Sequence, residues 1–420
     1  MRLAWKRRDW LSAVGAASTF GGSGLLAACG GGGDTPAEEP IAASLLATTA
    51  QNQAATYRHV DQLGPTREIR RGGQAMPLPI HRTSLNGLRY DFGGSSHTVD
   101  DYMSRNRTAG ILILKRGEIA LERYGMGNDA RSRWTSFSVA KSVTSTLVGA
   151  ALKDGSIRSL DDGVAQYVSP LRGSAYEQSS IRQLLRMTSG IRWVEDYSGA
   201  ADSEITKFAQ AVSSGKNGAV MDLMRTLPRA AAPGSVFNYS TGESYVLGAV
   251  VAAATGATLS DYLSRKIWAP LGMEAPGYWL LDSANGLELG GDNFSATLRD
   301  YARFGQFFMR GGIVNGSSVL PDRWMELAGH PESAVTACGA LYPDYPLGYG
   351  YQWWSFPKGA NAIPFHDSAF TAEGIFGQFI YINPLEDIVA AVWSAWPNAW
   401  IAAAEMETYS LLGTAAAMLR

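Results

Sequence analysis

The sequence predicts an α+β fold, with one antiparallel sheet built from both chain ends, flanked by helices, and a mainly helical subdomain inserted in the middle. Three observations lead to this prediction. Segments typical of paired strands, with turn residues between them, occur towards both ends, at 111–124 and 378–393. The region between them has mainly helical periodicity. A chain of 420 residues is also long enough for one large core with a sizeable insertion.

Each predicted element has a local signal. The first strand pair is ILILKRGEIALERY at 111–124, with its turn at Lys115-Arg116-Gly117. The second pair places strands at 378–382 and 388–393, around turn residues that include Asn383 and Pro384. Helical periodicity predicts helices over 136–153, 179–187, 242–255, 259–266 and 298–311, and a closing amphipathic helix over 402–419.

The N-terminal residues predict export. Lys6-Arg7-Arg8 resembles a twin-arginine signal, and an Ala/Gly-rich apolar stretch follows it. The stretch ends in Leu26-Ala27-Ala28-Cys29, which resembles a bacterial lipoprotein box. We therefore expect residues 1–28 to be a signal peptide, Cys29 to be acylated, and residues 29–60 to tether the protein to a membrane of the cell envelope. The alternative is a plain secretory signal whose cysteine is incidental.

Charge and motif content exclude several classes of function. The net charge is −2, so no basic surface is expected to bind nucleic acid. The five histidines have no metal-ligand spacing, and we expect no metal site. The chain contains neither a G-x-S-x-G nucleophile elbow nor a P-loop motif, and no cofactor is implied.

Three S-x-x-K motifs occur, beginning at Ser138, Ser213 and Ser355. Proline at 357 opposes a helix through the third, and glycines at 215 and 218 place the second in a loop. The first begins a sustained apolar helix, with Thr135 or Ser136 available as its N-cap. Ser138 would then lie in the first turn with Lys141 on the same face, as a nucleophile and its base require. The alternative is a capped helix whose lysine extends to solvent.

Two later segments favour the catalytic interpretation. In PGSVFNYSTGE, at 233–243, Ser240 and Glu243 form a predicted capping box, which fixes Tyr239 just before a helix where its phenol could relay a proton. In 372–378, Gly374 lies at the edge of a predicted strand, where a substrate carbonyl could approach the backbone. The alternatives are a buried core tyrosine and a simple bend.

The order of these three segments resembles that of the serine β-lactamase and penicillin-binding superfamily. The segments SFSVAKSVTSTLVG, IRQLLRMTSGIRWVEDY, PGSVFNYSTGESYVLG, LRDYARFGQ, GYGYQWW and GIFGQFIYINP are similar to class C β-lactamase-related hydrolases, closest to the branch of 6-aminohexanoate-dimer hydrolase and related esterases. The resemblance covers about 60–415. It implies a serine β-lactamase-like fold over 61–420, with its helical insertion at about 155–340.

The resemblance also implies the roles of individual residues. Ser138 matches the nucleophile, Lys141 the general base and Tyr239 the proton relay, and the oxyanion hole would be the N–H groups of Ser138 and Ile375. The substrate-binding residues would be Trp193, Asp196, Tyr197, Thr241, Trp353, Glu373, Gly374 and Phe376, with Tyr349, Tyr351 and Trp354 as further candidates for the acyl pocket.

Two positions depart from the family pattern. Thr241 replaces the usual asparagine of Tyr-x-Asn, and Ala372-Glu373-Gly374 replaces the usual Lys/His-Thr/Ser-Gly. The missing cation normally meets a substrate carboxylate, so a glutamate there disfavours anionic substrates. The sequence thus predicts a serine hydrolase that cleaves small linear esters or amides through an acyl-enzyme. The alternatives are a DD-peptidase or β-lactamase, and a catalytically silent ligand-binding lipoprotein.

Lipid attachment is testable at Cys29. We expect the mature chain to begin at Cys29 and to carry at least two acyl chains, because one chain anchors a protein only marginally. Mass spectrometry of the N-terminal peptide checks this, and Cys29→Ser should release the protein from the membrane fraction. An unmodified N-terminus at another residue would contradict the prediction.

Overall fold

A computed structural model describes residues 40–42 and 44–420. The predicted signal peptide and Cys29 lie outside the described residues. The architecture is a mixture of helices and antiparallel sheets, which confirms the predicted α+β class.

The central sheet has seven strands and joins the two ends of the chain. Its order is Gly348–Tyr349, Trp354–Ser355, Phe370–Gly374, Gln378–Asn383, Ile388–Ser394, Thr108–Lys115 and Glu118–Tyr124. Each neighbouring pair is antiparallel, and the two predicted hairpins meet where Ala390 lies opposite Ile113. The four central strands of the order, from Phe370 to Lys115, are almost wholly buried. The two hairpins therefore form the middle of one core.

The first hairpin has a turn that its sequence specifies. Lys115 pairs with Glu118 across a two-residue loop of Arg116 and Gly117. Both loop residues have positive φ, 55° and 83°. Short turns of this twist match the twist of the flanking strands, and glycine adopts the second position without strain.

The helices surround the sheet. The α-helices are Gln53–Arg58, Val99–Arg105, Val139–Lys153, Val164–Tyr167, Ile181–Leu185, Glu204–Ser213, Ala219–Thr226, Thr241–Thr255, Leu259–Leu263, Ala269–Leu271, Leu298–Met309, Trp324–Gly329 and Ala402–Met418. Short 3₁₀ turns lie at Leu45–Ala47, Val60–Gln62, Ser169–Leu171, Ala175–Gln178, Ala334–Thr336 and Gly359–Asn361, and a π-helical turn at Ser264–Trp268. The six predicted helices are all present, with ends that differ by a few residues.

A second sheet was not predicted. Its four strands are Thr66–Ile69, Gly277–Leu280, Phe294–Thr297 and Arg133–Thr135, in that spatial order. Two of them lie inside the predicted insertion, which is therefore not wholly helical. Both are four residues long and buried throughout, so they lack the alternating pattern that identifies a half-exposed strand. Two small two-stranded sheets pair Arg89–Phe92 with Ser95–Thr98 and Ile313–Val314 with Ser317–Ser318.

The folded region begins before residue 61, the predicted end of the tether. Residues Gln53–Arg58 form a helix, and Tyr57 in it is completely buried. Part of the segment predicted as a tether is therefore helical and packed against the rest of the protein.

Two buried helices form the layer that holds the predicted site. Val139–Lys153 packs along Thr241–Thr255, and most residues of both are buried. Among the described residues, no single helix has the length and apolar character to cross a membrane, although the bent pair Thr241–Thr255 and Leu259–Leu271 meets both criteria jointly.

Candidate active site

Ser138 and Lys141 lie together at the start of the Val139–Lys153 helix. Ser138 occupies the N-cap position, which was predicted for Thr135 or Ser136, but its hydroxyl does not cap the helix. Instead, Lys141 Nζ lies 2.8 Å from Ser138 Oγ. Lys141 is 1% exposed, so it does not extend to solvent as the alternative required.

The surroundings of Lys141 fix the direction of its third hydrogen-bonding position. Nζ donates to Thr241 Oγ1 at 2.9 Å and to the Gly291 carbonyl at 2.8 Å. The Thr241 hydroxyl donates its own proton to Glu195, so towards Lys141 it can only accept. With two N–H groups directed to these acceptors, the remaining tetrahedral position faces Ser138. In the neutral amine, that position is the lone pair.

Burial increases the fraction of Lys141 that is neutral. It lowers the pKa of Lys141 to about 8, and the nearby charges of Glu195 and Asp292 oppose this shift. At pH 7, about a tenth of the molecules then carry a neutral lysine. In turn, burial raises the pKa of the Asp292 carboxyl to about 6, while the Lys141 charge opposes that rise.

Tyr239 lies in the loop before the Thr241–Thr255 helix and lines the same cleft. Its ring stacks on Trp354, with centroids 5.6 Å apart, and Lys141 Nζ lies 5.0 Å from the ring centroid. Burial and the charge of Glu195 raise the pKa of Tyr239 well above its usual value, and a hydrogen-bonding interaction with Ser138 opposes the rise. The phenol therefore keeps its proton at neutral pH.

Gly374 brings the edge of the central sheet against the start of the helix. A Cβ at this position would lie 2.5 Å from the Ser136 carbonyl oxygen and 3.1 Å from Ser138 N. Only glycine permits so close an approach. The next residue, Ile375, lines the cleft beside Ser138. The Ser138 N–H, at the helix N-terminus, has no acceptor within the helix and is available to a ligand.

Comparison with known proteins identifies the family. The sequence profile of the family described as Beta-lactamase matches residues 96–405. The chain belongs to this family. It is 28% identical to the 6-aminohexanoate-dimer hydrolase of Paenarthrobacter ureafaciens over 350 residues, which cover 81% of this chain and 85% of that protein.

Solved structures show the same fold. A Bacillus anthracis structure assigned as a 6-aminohexanoate-dimer hydrolase has a TM-score of 0.79 at 22% identity, covering 92% of this chain and 99% of that one. A class C β-lactamase mutant has a TM-score of 0.55 at 16% identity, covering 75% of this chain and 95% of the other. The predicted resemblance to the β-lactamase and penicillin-binding superfamily is confirmed.

In this Beta-lactamase family member, the cleft at Ser138 has an empty volume of about 790 Å³, open solvent included. The residues that line it are Ser138, Glu195, Tyr197, Tyr239, Tyr342, Trp354, Glu373, Gly374, Ile375, Phe379, Trp396, Ala399, Trp400 and Glu405. The predicted residues Tyr197, Glu373 and Gly374 are among them, and Thr241 lies behind them, bonded to Lys141.

Besides Thr241, four predicted substrate-binding residues do not line the cleft. Trp353 is completely buried and stacks on Phe308, and Phe376 packs against Phe137 in the core. Asp196 accepts a hydrogen bond from the Ser198 N–H and shapes a turn. The fourth, Trp193, is buried behind the cleft wall, where its indole N–H donates to Glu195.

Glu195 was missed as an individual site residue. Its carboxylate accepts hydrogen bonds from the Trp193 indole, the Tyr197 hydroxyl at 2.6 Å, and both the N–H, at 3.0 Å, and the hydroxyl of Thr241. The spacing of Trp193, Glu195 and Tyr197 was the available signal, because alternate residues of an extended segment share a face. Asp196 lies between them and points elsewhere.

The other two S-x-x-K motifs form no comparable site. Ser213 and Lys216 are exposed at the end of a surface helix. Ser355 is buried in the central sheet, hydrogen-bonded to His330 at 3.1 Å, whereas Lys358 is exposed. Within the described part of the chain, no group of three or more His, Cys, Asp or Glu side chains is arranged to hold a metal ion.

The pKa of Lys141 predicts the pH dependence of hydrolysis. Because burial lowers this pKa to about 8 and the neutral amine is the base, kcat/KM for an uncharged ester should rise about tenfold per pH unit and level off above about pH 8. The Asp292 charge raises the Lys141 pKa, so Asp292→Asn should move the midpoint to lower pH. A rate that does not vary between pH 6 and 9, measured with buffer-matched controls, would contradict this assignment.

Proposed function

We propose that the protein hydrolyses small linear esters or amides through an acyl-enzyme on Ser138. The observation that carries the proposal is the buried Lys141 amine, held by Thr241 and Gly291 and placed 2.8 Å from Ser138 Oγ. Membership of the Beta-lactamase family and the named relative support hydrolysis as the class of reaction.

Acylation begins with proton transfer from Ser138 Oγ to the neutral Lys141 amine as the oxygen attacks the substrate carbonyl. The carbonyl oxygen becomes an oxyanion, which the N–H groups of Ser138 and Ile375 stabilise. Tyr239 donates its proton to the departing alcohol or amine and regains a proton from Lys141. The C–O or C–N bond breaks, and Ser138 is left as an ester.

Deacylation uses the same groups in reverse order. Water enters the vacated leaving-group position beside Tyr239 and attacks the acyl carbonyl, giving a proton to Tyr239 while Tyr239 passes its own proton to Lys141. The Ser138–acyl bond breaks, and Ser138 Oγ recovers its proton through Lys141. The acid product leaves, and no redox step is involved.

The charge of the cleft favours neutral or amine-bearing substrates. Three carboxyl groups line it, from Glu195, Glu373 and Glu405. Glu373 accepts a hydrogen bond from Tyr409, and Glu405 accepts one from Tyr345 at 3.0 Å. Both donors are neutral hydroxyl groups. Bringing a substrate carboxylate beside the three carboxyl groups costs desolvation and repulsion.

Substitution at the two central residues tests the chemistry. Ser138→Ala should abolish hydrolysis of p-nitrophenyl butyrate with the fold intact, and Lys141→Ala should lower kcat/KM at least about a hundredfold, because each removes a proton-transfer partner. Ser213→Ala and Ser355→Ala are the controls and should remain near wild type.

Covalent labelling of Ser138 by a fluorophosphonate, read by peptide mass spectrometry, distinguishes the hydrolase from a silent binding protein. Normal turnover by Ser138→Ala would exclude the proposal, and an unlabelled wild-type protein with no turnover of any ester would indicate the silent binder.

Substrate charge gives a separate test. We expect kcat/KM for p-nitrophenyl butyrate to exceed that for nitrocefin by a factor on the order of 100, about 2.7 kcal/mol, because nitrocefin is an anion. Glu373→Gln should narrow the difference, whereas Asp322→Asn, which removes a carboxylate whose side chain is 95% exposed, should not. Equal efficiency with the two substrates would favour the β-lactamase alternative.

A further inference from the structure

The N-terminal segment supports the backbone on both sides of the proposed oxyanion hole. Tyr57, in the Gln53–Arg58 helix, is completely buried. Its ring centroid lies 5.0 Å from that of Phe137 and 5.8 Å from that of Phe376. Phe137 and Phe376 also contact each other, at 5.3 Å. The three rings form a closed cluster, called here the aromatic triad.

Two members of the aromatic triad are the chain neighbours of the proposed oxyanion donors. Phe137 directly precedes Ser138, so its backbone orients the peptide group that carries the Ser138 N–H. Phe376 directly follows Ile375. Both phenylalanines have positive φ, 44° and 62°, a conformation that bulky residues adopt only when their surroundings hold them there.

The backbone around Phe376 is fixed from both directions. Its N–H donates to the Ala399 carbonyl at 2.8 Å, and its carbonyl accepts from the Trp396 N–H at 3.1 Å. The N-terminal segment extends this support, since Gln53 Nε2 donates to the Trp396 carbonyl at 2.9 Å. Trp396 and Ala399 both line the cleft.

The two halves of the hole meet at Gly374, where a Cβ would lie 3.1 Å from Ser138 N. The ring contacts of the aromatic triad join the same two halves a second time. Tyr57 is the only member of the triad that belongs to neither half, and it contacts both.

We infer that Tyr57 is a positioning residue for hydrolysis, which sets the separation of the Ser138 and Ile375 N–H groups through Phe137 and Phe376. The inference rests on the proposed acyl-enzyme chemistry. It assigns residues 53–58, within the segment predicted to be a tether, to the framework of the active site. The ring matters here and the hydroxyl does not, because within the described part of the chain the phenol oxygen has long hydrogen bonds, at 3.3 Å, to Thr48 and Gln53 of the same segment.

The test compares Tyr57→Ala and Tyr57→Phe with Tyr102→Ala, which removes an equally buried tyrosine ring from the contact with the C-terminal helix. Tyr57→Ala should lower kcat about 10- to 100-fold with KM changed less than about threefold, since misplaced donors weaken binding of the transition state and not of the substrate. Tyr57→Phe should stay within about twofold of wild type, as should the kcat of Tyr102→Ala.

A boronic acid provides a readout that lost stability alone would not change. Its tetrahedral adduct with Ser138 places an oxygen in the oxyanion hole, so the inhibition constant of phenylboronic acid should rise in Tyr57→Ala by about the same factor as kcat falls. Tyr57→Leu and Tyr102→Leu keep more of the buried volume and serve the same comparison if an alanine variant does not fold.

The outcomes separate this inference from the proposed function. A folded Tyr57→Ala or Tyr57→Leu with wild-type kcat and wild-type boronic acid inhibition would overturn the positioning role while leaving the acyl-enzyme intact. Equal losses in the Tyr57 and Tyr102 variants would also overturn it, because the effect would then be one of stability. Turnover by Ser138→Ala would instead overturn the proposed function itself.

Discussion

The structure depends on keeping one amine out of water. A pKa of about 8 for Lys141, compared with 10.5 in water, means that the site disfavours the charged form by a net amount of about 3 kcal/mol, with burial as the main cause. The Thr241–Thr255 helix and the loop at Gly291 provide that burial and also receive the amine's hydrogen bonds. Because both neighbours must be in place, the helical layer and the loop at Gly291 have to be assembled before the proposed base is functional.

Glu195 limits how far burial lowers the pKa of Lys141. Its charge raises the pKa of Lys141 against the effect of burial, and it also orients the Thr241 hydroxyl. A carboxylate so deeply buried is tolerated because four donors satisfy its two oxygens. Glu195 therefore influences both the pKa of Lys141 and, through Thr241, the direction of its hydrogen bonds. The Trp193-to-Tyr197 segment lies against the site and carries this side chain.

Local signals predicted a large part of the fold and of the site. The two hairpins and the helix that begins at Ser138 follow from turn residues and periodicity within short stretches of sequence. The second sheet did not, since its buried four-residue strands carry no alternation. Side-chain direction could not be predicted either. Trp354 faces the cleft, whereas its neighbour Trp353 faces the core, and the amino-acid composition does not distinguish the two.

Side-chain direction and long-range contacts also explain why the roles of Glu195 and Tyr57 were not predicted from the sequence. The acidic residue chosen in the 193–197 segment was the neighbour of the one that faces Lys141. Tyr57 lies in a stretch whose composition is typical of a linker, and its contacts with Phe137 and Phe376 join parts of the chain far apart in sequence. No local pattern reports such a contact.

The order of strands in the central sheet has a consequence for biosynthesis. Ile388–Ser394 lies between Thr108–Lys115 and Gln378–Asn383, so the strand of this sheet that comes last along the chain occupies an interior position. The N-terminal hairpin must wait for it with one edge unpaired, and such edges are prone to wrong pairing. The cleft, whose sheet edge ends at Gly374, can form only after residues 388–394 have been made and have joined the sheet. An incomplete chain therefore exposes an unpaired edge before it can have any activity.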